Sequence, residues 1–180
     1  MILVVDMNWK RDSLGFYEFV LPLVQIAQKR GDCVVRHYLE VDSRDLNDCS
    51  HIILSGTALK DNVSQRQPEK FGWLKNTSKP VLGVCAGMQA IGVAHGLSLK
   101  RYVEIGMTPV TTLQQNPLFS GSFSAYSLHN FCVEPTAEFE VLAESSQCMQ
   151  AMRHRQKEVY GMLFHPEVRN AAMVERFLQL

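Results

Sequence analysis

Cys85 sits between two glycines in Gly83-Val84-Cys85-Ala86-Gly87-Met88-Gln89, just after the apolar run Pro80-Val81-Leu82 and just before the helix-like stretch 88–94. A reactive side chain with small residues two places before and two places after it has the layout of a nucleophile elbow, with sulfur in place of the usual serine oxygen. The small residues let a strand and a helix approach closely around a sharp turn. The thiol is then lifted out of a sheet and left at the first turn of a helix, where the helix dipole favours negative charge on sulfur. On this segment alone a catalytic cysteine and a buried structural one both remain open, because free cysteine is commonly a small core residue.

A second cluster lies near the C-terminus, where Val159-Tyr160-Gly161-Met162-Leu163-Phe164 runs into His165-Pro166-Glu167. Proline pushes the residue before it into an extended conformation, and residues two apart on an extended backbone share a side. Glu167 is therefore expected to reach the ring of His165. A carboxylate on one ring nitrogen leaves the other free as an acceptor facing a nucleophile. Nucleophile, base and base-orienter are the parts of a triad for acyl transfer. Read by itself, the segment could equally be a surface His-Pro-Glu turn.

The elements that must position these residues alternate through the first half. The runs 2–5, 33–38, 52–54 and 81–84 read as strands. The segment 14–29 reads as a helix, capped by Asp12 or Ser13 and stopped at Gly31. Shorter helices are expected at 68–74 and 88–95. Such alternation predicts a parallel sheet with helices on both faces and the elbow at the carboxyl end of a strand. After Gly96 the segments 101–107, 108–113, 122–127, 131–134, 141–144, 148–154 and 159–164 are short and β-rich, and 170–180 reads as a closing helix. The expected fold class is α/β: an open, mainly parallel sheet flanked by helices with a smaller added β-sheet, in one domain spanning 1–180.

Composition narrows the function classes. With 180 residues and 46% hydrophobic content, one substantial core is expected. Lys+Arg and Asp+Glu are both 18, which argues against a strongly basic nucleic-acid surface or a membrane-seeking patch. No apolar run approaches the roughly 20 residues of a membrane span, and the start at Met1-Ile2-Leu3-Val4-Val5-Asp6 reads as a strand, not a secretory signal. The five cysteines show no C-x-x-C pair, so neither a zinc site nor a disulfide framework is indicated. Cys33, Cys49, Cys132 and Cys148 read as core fillers, and a working thiol fits a reducing cytoplasm. Trp9, Phe16, Tyr17 and Phe19 also read as core, as do Met149 and Met152, while His37, His51 and His95 read as structural histidines. Arg153-His154-Arg155 is either a solvated strand end or part of a partner-facing surface. The polar run 60–67 reads as a mobile loop near the site mouth, an ordinary surface loop or, as the alternative, a lid.

Together, the motifs at 83–89 and 165–167 resemble those of the class I (triad) glutamine amidotransferases, in the same order of nucleophile, histidine and glutamate. Within that family, Met149-Gln150-Ala151-Met152-Arg153-His154-Arg155, Val159-Tyr160-Gly161 and Phe164-His165-Pro166-Glu167-Val168 are most similar to the stand-alone glutaminase subunits of archaeal GMP synthases. The resemblance implies Cys85 as nucleophile, His165 as base and Glu167 as orienter. It also implies glutamine contacts at Gln89 and along Ser127, Leu128 and His129, and an oxyanion hole from the amide of Ala86 and the Gly56–Thr57 loop. That loop reads Ser55-Gly56-Thr57-Ala58 where the family reads Ser-Gly-Gly-Pro, and a β-branched Thr57 would resist a positive φ. No metal or cofactor is expected in this chain, which has no G-x-x-x-x-G-K-[ST] loop. ATP and Mg²⁺ would belong to a synthetase partner that receives ammonia and makes GMP from xanthosine monophosphate. An amidotransferase of another pathway, a γ-glutamyl peptidase and a non-catalytic regulatory relative remain as alternatives.

Overall fold

The computed structural model describes residues 1–180. In chain order its strands are β1 (Ile2–Asp6), β2 (Cys33–His37), β3 (His51–Leu54), β4 (Val81–Val84), β5 (Leu99–Thr112), β6 (Ser122–Val133), β7 (Phe139–Glu144), β8 (Met149–His154) and β9 (Val159–Met162). They form one sheet in the order β2-β1-β3-β4-β9-β8-β7-β5-β6. The first five strands of that order are parallel and the rest are antiparallel. β1, β4 and β9 are buried along their whole length, and β3 is buried beyond His51, as near-continuous apolar runs require when both faces are covered.

The helices are α1 (Leu21–Gln28), α2 (Ser43–Asp48), α3 (Ala86–Ala94), α4 (Pro166–Arg169) and α5 (Ala171–Phe177), with a π-helical turn at Phe16–Val20 leading into α1 and 3₁₀ turns at Ser64–Arg66 and Pro68–Lys75. One apolar cluster gathers Val20, Leu23 and Ile26 with Met173, Val174 and Phe177 against one face of the sheet. A second gathers Met88, Ala90 and Ile91 with Phe71 and Leu74 against the other. The predicted layered arrangement is present.

Several expectations are revised. The added β-segments do not form a sheet of their own; β8 pairs with β9 and carries the main sheet onward. The segments 101–107 and 108–113 are one strand, β5, and 122–127 and 131–134 are one strand, β6. α2 has little apolar periodicity and is set by a capping box in which Asp42 and Asp45 bond each other's backbone N–H. Asp12 takes a left-handed φ of 55° and the chain turns on before the helix, which starts without a side-chain cap. Phe19 is buried, but Trp9, in the bend after β1, is 60% and Tyr17 63% exposed. Cys132 and Cys148 are joined as a disulfide with Cα atoms 5.8 Å apart, where β6 passes the turn into β8; their separation along the chain carries no recognisable signal. Arg153 pairs with Glu140 and His154 with Glu138, so that cluster is engaged within the chain.

Candidate active site

The elbow forms as the glycines predict. Cys85 has φ 48° and ψ −102°, a backbone conformation that residues with side chains rarely take. A Cβ on Gly83 would lie 2.5 Å from the carbonyl carbon of Gly87, and one on Gly87 would lie 2.4 Å from the carbonyl oxygen of Leu54, so β3, β4 and α3 meet only through hydrogen atoms here. The Cys85 N–H donates to Met162 O at 2.7 Å and its carbonyl accepts from Gln89 N–H at 3.0 Å, so the residue ends one ladder and starts one helix. Ala86 follows as the first residue of α3, where an N–H has no acceptor within the helix.

His165 follows β9, and its backbone N–H donates to Tyr126 O at 2.8 Å. Its Nδ1–H donates to Glu167 Oε1 at 2.8 Å. The predicted contact is present, but the reason differs: Glu167 lies in the first turn of α4, not on an extended strand. Gly56 brings the two reactive residues together. A Cβ there would sit 2.6 Å from His165 Cε1 and 3.5 Å from Cys85 Cβ, so the imidazole and the Cys85 side chain crowd the same point. The thiol of Cys85 points at Leu128 O, 3.5 Å away, which leaves His165 Nε2 sealed from solvent and unpaired. Burial pushes the His165 imidazole down. This is outweighed by the adjacent Cys85, through its charge, and by the Glu167 carboxylate, and the net direction is well up.

The edge strand β6 forms one wall. Its inner edge pairs with β5, while its outer edge meets the reactive residues: Tyr126 O takes the His165 N–H, Leu128 O takes the Cys85 thiol, and Phe131 O accepts from Gln89 Nε2 at 2.8 Å. Asn130 Nδ2 donates to Leu59 O at 2.9 Å. The cavity beside the sulfur is lined by Thr57, Gln65, Cys85, Gln89, Leu128 and His129 among others. Ser127 does not line it; it is fully buried behind this wall. Residues 128–130, which the sequence reading leaves between two strands, lie within β6, because the active-site groups occupy the hydrogen-bonding edge that would otherwise be bare. Neither Gly56 nor Thr57 takes a positive φ; Thr57 is buried and its Oγ1 donates to Asp61 O at 2.9 Å.

The run 60–67 is not an ordinary surface loop. Ser64 is fully buried, Asp61 takes the Trp9 N–H at 2.7 Å, and the Gln65 carboxamide donates to Gln89 Oε1 and to Asn62 Oδ1. It closes the cavity to about 10 Å³, room for about one water molecule. Its polar composition points to a loop at the site mouth, with a lid as one reading, but not to the side chain that reaches Gln89.

Residues 18–179 match the model of the family described as "Glutamine amidotransferase class-I". The chain belongs to the class I glutamine amidotransferases. It is 39% identical over 100 residues to the glutamine-hydrolyzing GMP synthase subunit of Methanocaldococcus jannaschii, a match covering 52% of this chain and 53% of that protein. The corresponding subunit of Thermoplasma acidophilum is 28% identical over 140 residues, covering 72% of this chain and 68% of that one. The chain thus spans about half the length of the first curated relatives it matches. Among solved structures, a candidate GMP synthase subunit from Thermoplasma acidophilum superposes with a TM-score of 0.84 at 22% identity, over 99% of this chain and 92% of that one. A glutamine amidotransferase from Thermotoga maritima gives a TM-score of 0.73 at 19% identity, over 93% and 76%. These likenesses agree with the architecture built above. No helix of this amidotransferase is long and apolar enough to cross a membrane.

Proposed function

We propose that this chain hydrolyses glutamine to glutamate and ammonia and hands the ammonia to a synthetase subunit that makes GMP from xanthosine monophosphate. The observation that carries the reading is the convergence of Cys85, on its elbow, with a buried His165 oriented by Glu167. The names of the relatives support the choice of pathway; they are those of GMP synthase subunits.

In this reading His165 takes the thiol proton and the sulfur attacks the side-chain carbonyl carbon of glutamine. The charge that builds on the carbonyl oxygen is met by the amide of Ala86 and by the Gly56–Thr57 loop. The imidazolium then gives its proton to the departing nitrogen, and ammonia leaves a γ-glutamyl thioester on Cys85. Water deprotonated by His165 attacks the thioester, glutamate departs, and the thiol is restored. Gln89, Leu128 and His129 hold the substrate, with Ser127 supporting them from behind. ATP and Mg²⁺ act on the synthetase, not here.

The test is ammonia release from glutamine by the chain alone and after mixing with a synthetase subunit supplied with ATP, Mg²⁺ and xanthosine monophosphate. Cys85→Ala is expected to abolish release, a loss of at least about 10³-fold, while circular dichroism stays unchanged. A Cys85→Ala protein that still works at the wild-type rate rejects the assignment. Activity with glutamine but no transfer to that nucleotide rejects the pathway alone.

A further inference from the structure

The wall formed by β6 is an edge strand, and its anchorage is unusual. Its ladder partner β5 reaches β7 only through Thr111 and Thr112, far from the stretch of β6 that faces Cys85. Near that stretch the β5–β6 register shifts between Arg101 and Glu104, an irregularity of the kind that re-aims a side chain. There the Glu104 carboxylate gathers three donors. His129 Nε2–H donates to Oε2 at 2.9 Å, Ser145 Oγ–H donates to Oε1 at 2.9 Å, and Gln150 Nε2–H donates to Oε2 at 2.5 Å. His129 belongs to β6 and lines the cavity beside Cys85, Gln150 belongs to β8, and Ser145 ties the turn between β7 and β8. Side chains therefore do here what a backbone ladder does elsewhere in the sheet. Glu104 lies outside the lining of the cavity and reaches it only through His129.

We propose that Glu104 is a positioning residue for glutamine binding: by holding His129, Ser145 and Gln150 on one half-buried carboxylate, it fixes the Leu128–Asn130 stretch of β6 at the height at which it receives the substrate. The proposal rests on the reading of the site as a glutaminase. A neutral amide at 104 offers one uncharged oxygen where the carboxylate offers two charged ones, so the bonds that hold His129, Ser145 and Gln150 together are weakened while Cys85, His165 and Glu167 keep their own contacts.

The experiment compares wild type with Glu104→Gln in steady-state glutamine hydrolysis and in two labelling reactions of Cys85, one with iodoacetamide and one with a diazoketone analogue of glutamine. Glu104→Gln is expected to raise KM about tenfold with kcat changed less than about threefold. Labelling by the glutamine analogue should slow in step with KM, and iodoacetamide, which needs no glutamine-shaped wall, should react at the wild-type rate. Ser145→Ala removes one donor and leaves the carboxylate and His129 in place; an increase in KM of about threefold is expected, and this variant decides the matter if Glu104→Gln does not fold. An unchanged KM in the folded variants, or an equal loss of both labelling rates, overturns the positioning role. A wild-type chain that neither hydrolyses glutamine, with or without a synthetase partner, nor takes the analogue sinks the glutaminase reading instead.

Discussion

At the scale of single residues, the chemistry depends on one imidazole held in a charged environment it would not choose for itself. His165 is fully buried, and burial alone disfavours its charged form, yet Cys85 and Glu167 outweigh that effect. Glu167→Gln keeps an oxygen for the Nδ1–H but deletes the charge. The imidazole should then lose its proton at lower pH. In the proposed mechanism the protonated ring delivers a proton to the departing nitrogen, so the alkaline limb of the kcat–pH profile should move to lower pH. At the wild-type optimum kcat should fall by about 10²-fold or more. A limb that stays put would show that Glu167 does not tune the base. The Cys85 elbow and the His165–Glu167 contact were legible in the sequence because each motif is contiguous: glycines flank Cys85, and Glu167 lies two places from His165. Glu104 and Gln65 were not, since each acts on residues far along the chain and neither sits in a pattern of its own.

At the scale of elements, the segment 60–67 and strand β6 are the two walls that glutamine must part or meet. With Gln65 bonded to Gln89, the cavity holds far less than the several hundred cubic ångströms of an ordinary ligand site. If Gln89 holds substrate as proposed, a carboxamide of the chain occupies its partner. Gln65→Ala is expected to lower KM for glutamine about fivefold, the worth of one competing hydrogen bond, as measured by initial rates of ammonia release. An unchanged KM would mean that the contact yields without cost. The parallel strands were legible from alternation of apolar runs and helices. β5 reads as two pieces because Gly106 and Pro109 look like breakers when their cross-strand partners Ser127 and Ser124 are unknown, and β6 does because the stretch at 127–129 resembles a substrate-binding loop.

At the scale of the whole molecule, the last strand to be made is inserted into the middle. β9 lies between β4 and β8, with Gly83 opposite Gly161, so the elbow cannot be completed until the C-terminal segment has arrived. This interleaving was invisible in the sequence, where the antiparallel run looked like an appendage. It predicts that the two halves unfold together. Hydrogen exchange should give the amides of β4 and β9 the same protection, equal to the global stability, with none of the staged opening that a separable subdomain would show. Loss of protection in β9 while β4 remains protected would contradict it.

The outer side of β6 carries a final consequence. A long strand at the rim of a sheet ordinarily invites self-association, since its free amides and carbonyls will pair with any neighbour. Here Cys85, Gln89 and His165 occupy that rim, so the residues proposed to perform the chemistry also keep one copy of the protein from adhering to the next, and resistance to aggregation and turnover draw on the same few contacts.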